Sequence, residues 1–470
     1  MKGGKKARVK PVARKAAKKV AQGVKPRRPL MRPFQLPVQH ELKTRSGLSV
    51  IVAPRGPIPM AAIRLVIPGG SSVEPATQAG LADFTARLLR RGAAGMDADA
   101  INEAVEFVGG SLDVGSSEDQ IELNISTPSH HVPEMLEVLG TLVSAPTFEE
   151  SEVVSARERT LARIANDLDD PGAVAERALT HALWGDHPYG HELAGTTATV
   201  SGFRREDLVV FHRDHLGPKI ALLVVVGDVE PEAVHQAAEK AFAGWKGGPD
   251  TVAIPAPRTR AALSGQLVLV DKPDQTQSQV RIGAMTLLRT HPDYHAAVVA
   301  NCVLGAGFTS RLVNEIRVNR GLSYGVNSYV GPQRGGAAFG VDTFTKTSST
   351  REIIDVALAE VEKLRARGIT AQELDKAQTY LCGLYPLRLE TNESIAAGIA
   401  DIRLSGLSPD WVQTYRDKVQ AVTRAQAGAA AKEHLLADPP VIVVVGKADE
   451  VAPQLRGLLP ITVKKVSDLG

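Results

Sequence analysis

The chain contains one sequence module twice. Residues 214–227 and 433–446 both read as a helix end with an acidic residue, His and Leu, then a turn with proline, then a strand that closes on glycine. The two copies also begin alike, since residues 48–66 and 267–283 each contain a short apolar strand, a polar turn and a second strand. Self-similarity at a fixed spacing is the signature of a duplicated structural unit. The sequence therefore predicts two homologous modules.

A stretch rich in glycine and proline separates the two copies. Residues 244–250 read Gly-Trp-Lys-Gly-Gly-Pro-Asp, and residues 255–258 read Pro-Ala-Pro-Arg. Such a density of turn-forming residues is typical of a linker. We therefore expect an N-terminal domain at residues 36–245, a linker at residues 246–261 and a C-terminal domain at residues 262–465.

Strand patterns and helix patterns are mixed within the modules. Residues 121–125 alternate apolar and polar side chains as a half-buried strand does, whereas residues 133–142 have the apolar spacing of a helix. Pro133 suits the first turn of that helix, where a missing N–H costs nothing. Because strands do not alternate strictly with helices, we expect an α+β fold. Each module would be a mainly antiparallel sheet with helices on one face.

The composition predicts a globular body with a basic N-terminal extension. Hydrophobic residues make up 43% of the 470 residues, which is enough to fill sizeable cores. Residues 1–32 hold thirteen lysines and arginines and no acid, although the whole chain carries only +3, so the body is acidic. We expect residues 1–35 to form a disordered basic tail. It is either a solubilising extension or a site of weak contact with nucleic acid or anionic lipid.

No segment is typical of membrane insertion or export. No apolar run is long enough to cross a bilayer, and the tail lacks the apolar core of a signal peptide. We therefore expect no transmembrane segment and a cytoplasmic location. The two cysteines, Cys302 and Cys382, do not form a C-x-x-C pair, and we expect them to be buried free thiols.

Four ordered segments of the chain resemble the insulinase/pitrilysin family of metallopeptidases, the inverzincins. These segments are residues 69–82, 184–196, 225–232 and 304–324. The resemblance covers nearly everything after the tail. It implies that the two modules together form half of a clamshell.

The residues that bind zinc in this family are replaced here. The family's zinc helix reads H-x-x-E-H, and a downstream glutamate supplies the third ligand. Asp83, Ala86 and Arg87 occupy the motif positions, and Arg163 occupies the position of the downstream glutamate. Arginine is a permanent cation that cannot bind a metal. The resemblance therefore implies that this chain binds no metal or other cofactor and has no peptidase activity alone.

Other closely spaced histidines have simple structural interpretations. One pair lies in a turn and one at a helix end, where capping is a sufficient explanation. The third pair is separated by proline and glycine, so its two histidines do not share one helix face. The pairs are His130–His131, His187–His191 and His212–His215. We expect none of them to bind a metal.

A segment in the second copy resembles the family's substrate-binding element. Residues 310–317 are predicted to form an amphipathic helix. Residues 304–307 lack the lysine of a phosphate-binding loop, so we expect them to form a tight turn before this helix. The resemblance implies that Arg317 and Tyr324 hold the substrate backbone near a distant zinc. Arginine can donate two hydrogen bonds to a carbonyl or carboxylate, and a tyrosine hydroxyl can stabilise an oxyanion. Alternatively, Arg317 pairs with Glu315 or another acid and Tyr324 belongs to the core.

These features lead to one main functional hypothesis. The resemblance implies a non-catalytic, substrate-positioning subunit of a heterodimeric zinc metallopeptidase that degrades peptides. A homologous partner chain with the H-x-x-E-H motif would supply the zinc and the base. The alternatives are a structural scaffold subunit of a larger assembly with no peptidase role, and a tether that acts through residues 1–32.

Overall fold

The computed structural model describes residues 35–469, and these contain two six-stranded sheets with helices around them. Residues 1–34 of the basic tail predicted for residues 1–35 lie outside the described range. The first-half strands are β1 (His40–Lys43), β2 (Ser49–Pro54), β3 (Met60–Pro68), β4 (Gly92–Ala93), β5 (Met96–Asp97), β6 (Ser111–Ser116), β7 (Gln120–Pro128) and β8 (Leu222–Gly227). The second-half strands are β9 (Leu267–Asp271), β10 (Gln277–Met285), β11 (Val326–Gln333), β12 (Gly336–Lys346), β13 (Val441–Gly446) and β14 (Ile461–Lys465).

The helices also divide between the two halves. The first-half helices are α1 (Leu81–Leu89), α2 (Ala98–Glu106), α3 (Val132–Ser144), α4 (Glu150–Asp169), α5 (Pro171–Trp184), α6 (Thr197–Gly202), α7 (Arg205–His215) and α8 (Pro231–Ala241). The second-half helices are α9 (Tyr294–Asn301), α10 (Thr350–Arg367), α11 (Ala371–Leu384), α12 (Asn392–Leu404), α13 (Trp411–Ala421), α14 (Arg424–His434) and α15 (Ala448–Leu455). Two segments, Cys302–Ala306 and Val313–Asn319, form wider π-helical turns.

The two sheets confirm both the duplication and the α+β fold class. The strand orders are β1-β2-β8-β3-β7-β6 and β11-β12-β10-β13-β9-β14. Three pairings, β2 with β8 and β9 with both β13 and β14, are parallel, and the others in these sheets are antiparallel. Leu65 of β3 pairs with Leu223 of β8, and the equivalent Ile282 of β10 pairs with Ile442 of β13. The repeated sequence therefore folds in the same register twice.

Local predictions about single elements are also confirmed. The strand predicted at residues 121–125 lies within β7, and the helix predicted at residues 133–142 lies within α3, with Pro133 in its first turn. Both cysteines are free and buried. The predicted linker, residues 246–261, contains no helix or strand, although the domain boundaries themselves stay predictions.

Each half places one helix on the sheet of the other half. Every residue of β8 and of β13 is buried, so both faces of each sheet need a cover. Ile395 and Ile399 of α12 belong to the same buried cluster as Val224 of β8. In the reciprocal cluster, α5 packs on β10 and β13. The sequence predicted helices on one face of each sheet. In the structure, a helix from the other half of the chain also covers the opposite face of each sheet.

Among the helices of residues 35–469, none combines the length and the apolar character that a bilayer crossing requires.

Candidate functional site

Helix α1 begins on a buried carboxyl group. Glu74 accepts hydrogen bonds from the backbone N–H groups of Gly80 and Ala82, at 2.7 and 2.8 Å. These are two of the donors that the first turn of a helix leaves without partners. Burial raises the pKa of Glu74 to about 8 despite these hydrogen bonds, and the nearby charge of Asp83 acts in the same direction. The segment before α1 therefore fixes where this helix starts.

An ion cluster occupies the place where the family resemblance locates zinc. Asp83, on α1, is only 3% exposed. Its Oδ2 accepts from Nε of Arg87 on the same helix and from Nη2 of Arg163 on α4, both at 2.8 Å. Its Oδ1 accepts from the hydroxyl of Ser116 on β6 at 3.1 Å. The structure therefore brings together three of the four positions predicted from the sequence.

These residues do not fit a catalytic zinc ion. Such an ion needs three protein ligands and a nearby base. One carboxylate is present, and two guanidinium groups already bind it. The fourth position, Ala86, is fully buried in the core and carries no proton acceptor. The role of Ser116 could not be predicted from the sequence, because a serine in a strand gives no signal of its distant partner.

Other histidines make local structural contacts. Nε2 of His212 lies 2.7 Å from the carbonyl of Val143, and Nε2 of His187 lies 3.1 Å from the carbonyl of Ala256. Burial lowers the pKa of both imidazoles. Their hydrogen bonds to the backbone are sufficient to explain their positions.

The expected tight turn at residues 304–307 is wrong. Helix α9 continues instead into the π-helical turn Cys302–Ala306. Asn301 holds this region against β11, since its side chain donates to the carbonyl of Ser328 at 3.1 Å and accepts from the Ser328 hydroxyl at 2.6 Å. A Cβ on Gly305 would lie 2.4 Å from that hydroxyl oxygen. The glycine therefore permits close packing of helix on strand rather than a turn.

An arginine anchors the segment that follows. Arg311 donates to both carboxylate oxygens of Glu373 on α11, at 2.7 and 2.9 Å, and to the carbonyl of Gly368 at 2.8 Å. Burial alone would raise the pKa of Glu373, but the hydrogen bonds from Arg311 and Thr370 lower this pKa to about 2. The predicted helix forms here, with its later part, Val313–Asn319, as a π-helical turn.

Arg317 and Tyr324 are both exposed on residues 308–324, which we call the Arg/Tyr segment. Tyr324 is 74% exposed, with its ring edge-on to Phe344 at 4.8 Å, so it does not belong to the core. Glu315 binds Arg320 at 2.8 Å rather than Arg317. The guanidinium carbon of Arg317 lies 5.7 Å from the ring centre of Phe308, which is 81% exposed. Phe308 was not among the predicted site residues, although an exposed aromatic side chain beside an arginine is typical of a binding surface.

A cavity of about 320 Å³ opens beside the Arg/Tyr segment. Its lining combines apolar and charged side chains and includes Cys302, Phe308, Arg311, Lys376 and Tyr380. A mostly apolar concave site with a few polar groups is typical of a binding pocket.

Two family models match consecutive parts of the chain. The model described as Insulinase (Peptidase family M16) matches residues 50–197, and the model described as Peptidase M16 inactive domain matches residues 202–381. The chain is 26% identical over 391 residues to an uncharacterized zinc protease of Streptomyces coelicolor, covering 82% of this chain and 85% of that protein. It is 25% identical over 403 residues to the non-peptidase homolog YmxG of Helicobacter pylori, covering 84% and 91%.

Solved structures share the fold. A crystal structure described as a peptidase M16 inactive domain from Pseudomonas fluorescens superposes with a TM-score of 0.82 at 25% identity, covering 87% of this chain and 98% of that chain. The crystal structure of a protease from Helicobacter pylori gives a TM-score of 0.80 at 21% identity, covering 88% and 100%. The names of the relatives include both proteases and a non-peptidase, so the residues of this chain must decide its role.

Proposed function

We propose that this chain, which belongs to the insulinase family (peptidase family M16), is the non-catalytic, substrate-positioning subunit of a heterodimeric zinc peptidase that degrades peptides. A homologous partner with an H-x-x-E-H helix supplies the zinc and the catalytic base. The observation that carries the proposal is the ion cluster at Asp83, in which Arg87 and Arg163 bind the one carboxylate among the four positions where the family binds zinc. A chain with this cluster contributes to peptide cleavage by binding the substrate.

The exposed Arg/Tyr segment supports the binding role. Among residues 35–469, no carboxylate lies within ion-pair distance of Arg317, so its guanidinium is available to a ligand. It can donate two hydrogen bonds to a peptide carbonyl or carboxylate. The exposed hydroxyl of Tyr324 can donate to the oxygen that gains charge when the peptide bond is attacked. Both groups would gain strength when a partner subunit excludes water from them.

The cavity beside this segment supports a place for a substrate side chain. Phe308 lies in its wall and also contacts Arg317. A peptide whose backbone is held by Arg317 could therefore place an apolar side chain in the cavity. Burial of one large apolar side chain contributes about 1.5–3 kcal/mol to binding.

Two substitutions test the proposal in the assembled pair. Tyr324→Phe should lower kcat/KM for peptide cleavage by roughly 10²–10³-fold, the usual effect of removing one oxyanion donor. Arg317→Ala should lower kcat/KM as well, since it removes the group that holds the peptide backbone. Both residues are exposed, so the heterodimer and its unfolding temperature should not change. Arg320→Ala is the matched control, because Arg320 is also an exposed arginine on this segment but pairs with Glu315.

Full activity of both variants would refute the assigned roles of Arg317 and Tyr324. Loss of the heterodimer in both variants would show that these residues form an interface instead. Co-purification with unrelated assembly subunits in place of a zinc-binding homologue would favour the scaffold function.

A further inference from the structure

Two histidines and an aspartate meet where α9 begins and α14 ends. His291 and Asp293 directly precede α9, and His434 is the last residue of α14. Nε2 of His434 lies 3.1 Å from Oδ2 of Asp293, and Nδ1 of His291 lies 3.9 Å from the same oxygen. One potential ligand atom of each residue lies within 4.8 Å of the other two.

We propose that His291, Asp293 and His434 bind a divalent transition-metal ion of the zinc class, with water completing the coordination. Two imidazole nitrogens and one carboxylate oxygen form a donor set that zinc ions accept in proteins. The site is remote in sequence from the Asp83 ion cluster. The proposal does not depend on the function proposed above.

The spacing of the three groups fits such an ion after one small movement. With metal–ligand bonds of about 2.0–2.1 Å, tetrahedral donor atoms lie about 3.3 Å apart. The pair formed by His434 and Asp293 is already at this spacing. The side chain of His291 is 40% exposed and can turn toward the ion. It would then give up the hydrogen bond that its Nδ1 accepts from the N–H of Asp293 at 3.1 Å.

The surrounding structure orients these ligands toward each other. Asp293 holds the N-cap position of α9, yet its side chain caps no helix N–H and contacts His434 instead. The backbone of His434 is fixed, since its carbonyl accepts from the hydroxyl of Thr286 at 2.8 Å. Helices α9 and α14 pack together in the second-half core. The partial negative charge at the C-terminus of α14 also favours a cation.

The first half of the chain provides a matched control. His215 ends α7 and occupies the same place in the repeat as His434. Its ring packs against Phe211, with ring centres 4.7 Å apart. A substitution at His215 therefore perturbs an equivalent helix end without touching the proposed ligands.

Metal titration of the tag-free full-length chain tests the proposal. Co²⁺ is the probe, since its visible absorption bands report nitrogen and oxygen ligation, and Zn²⁺ is then added as a competitor. We expect one ion per chain. His434→Ala and Asp293→Ala should each lower the affinity by at least about tenfold, since loss of even an outer partner of a ligand costs about 10–100-fold. His215→Gln should leave the affinity unchanged.

Thermal unfolding gives a second readout. Zn²⁺ should raise the unfolding temperature of the wild-type chain, because a ligand that binds only the folded state stabilises it. The shift should disappear in His291→Gln, which changes only a partly exposed side chain and keeps the fold. Equal affinity in the wild-type chain and the ligand variants, or no Co²⁺ absorption bands at sub-millimolar chain and metal, would overturn the proposal and leave a hydrogen-bonded contact only.

Discussion

Replacement of Asp83 by alanine tests whether the ion cluster stabilises the fold in place of a metal. The Asp83 side chain is only 5% exposed and accepts two charge-assisted hydrogen bonds of 2.8 Å and one from Ser116. A hydrogen bond to a charged group contributes about 1.5–3 kcal/mol, and a neutral one about 1 kcal/mol. Two arginines without their carboxylate would then remain near the core.

Solvent exposure of the arginines reduces the expected loss. The side chains of Arg87 and Arg163 are 48% and 32% exposed. They can rehydrate when the carboxylate is removed, so each ion pair contributes only about 1 kcal/mol, near the value for surface pairs. We therefore expect Asp83→Ala to lower the free energy of unfolding by about 2–3 kcal/mol.

Urea unfolding followed by tryptophan fluorescence and circular dichroism would measure this loss. Asp113→Ala is a suitable control, because Asp113 is an exposed carboxylate on the same strand as Ser116. The single and double alanine variants of Arg87 and Arg163 should be non-additive, since both arginines act on one carboxylate. A change below about 0.5 kcal/mol for Asp83→Ala, the range of ordinary surface substitutions, would show that the ion cluster does not stabilise the fold.

Two further predictions concern the supports of the candidate sites. The pKa of Glu74 is raised from 4.5 to about 8, so between these pH values the folded state holds a proton that the unfolded state has lost. The free energy of unfolding should therefore fall as pH rises from about 4.5 to 8. Glu74→Gln should flatten this part of the plot of urea midpoint against pH, and an unchanged plot would contradict the pKa shift. Gly305→Ala should lower stability by about 1–3 kcal/mol through overpacking against Ser328. The control is Gly383→Ala, where a Cβ meets no atom within 4 Å, and it should leave the free energy of unfolding unchanged or raise it slightly. Equal effects of the two substitutions would show that the contact between Gly305 and Ser328 has room for a methyl group.

Local patterns in the sequence were enough to predict much of the fold. The apolar runs that become β8 and β13 are buried on both faces, and their shared spacing predicted the duplication that the two sheets confirm. The exchange of α5 and α12 between the halves could not be predicted in this way. The apolar face of a helix shows that it is buried, but not which sheet covers it.

The candidate sites show the same division between local and long-range information. The positions of Asp83, Ala86 and Arg87 follow from the spacing of one helix, because residues three and four apart share a face. The contact of Ser116 with Asp83 joins separate elements and has no sequence signal. His434 and Asp293 are 141 residues apart, and only the packing of α9 against α14 brings them together. The turn expected at Gly305 was wrong because glycine is favoured both by turns and by close packing.

Affinity purification of the tagged chain from its native cells, followed by mass spectrometry, tests whether this chain works with a zinc-binding partner. We expect a stoichiometric partner of similar size that carries an H-x-x-E-H motif, and peptide cleavage by the pair but by neither chain alone. Peptide cleavage by this chain alone, or the absence of such a partner among the proteins that co-purify, would contradict it.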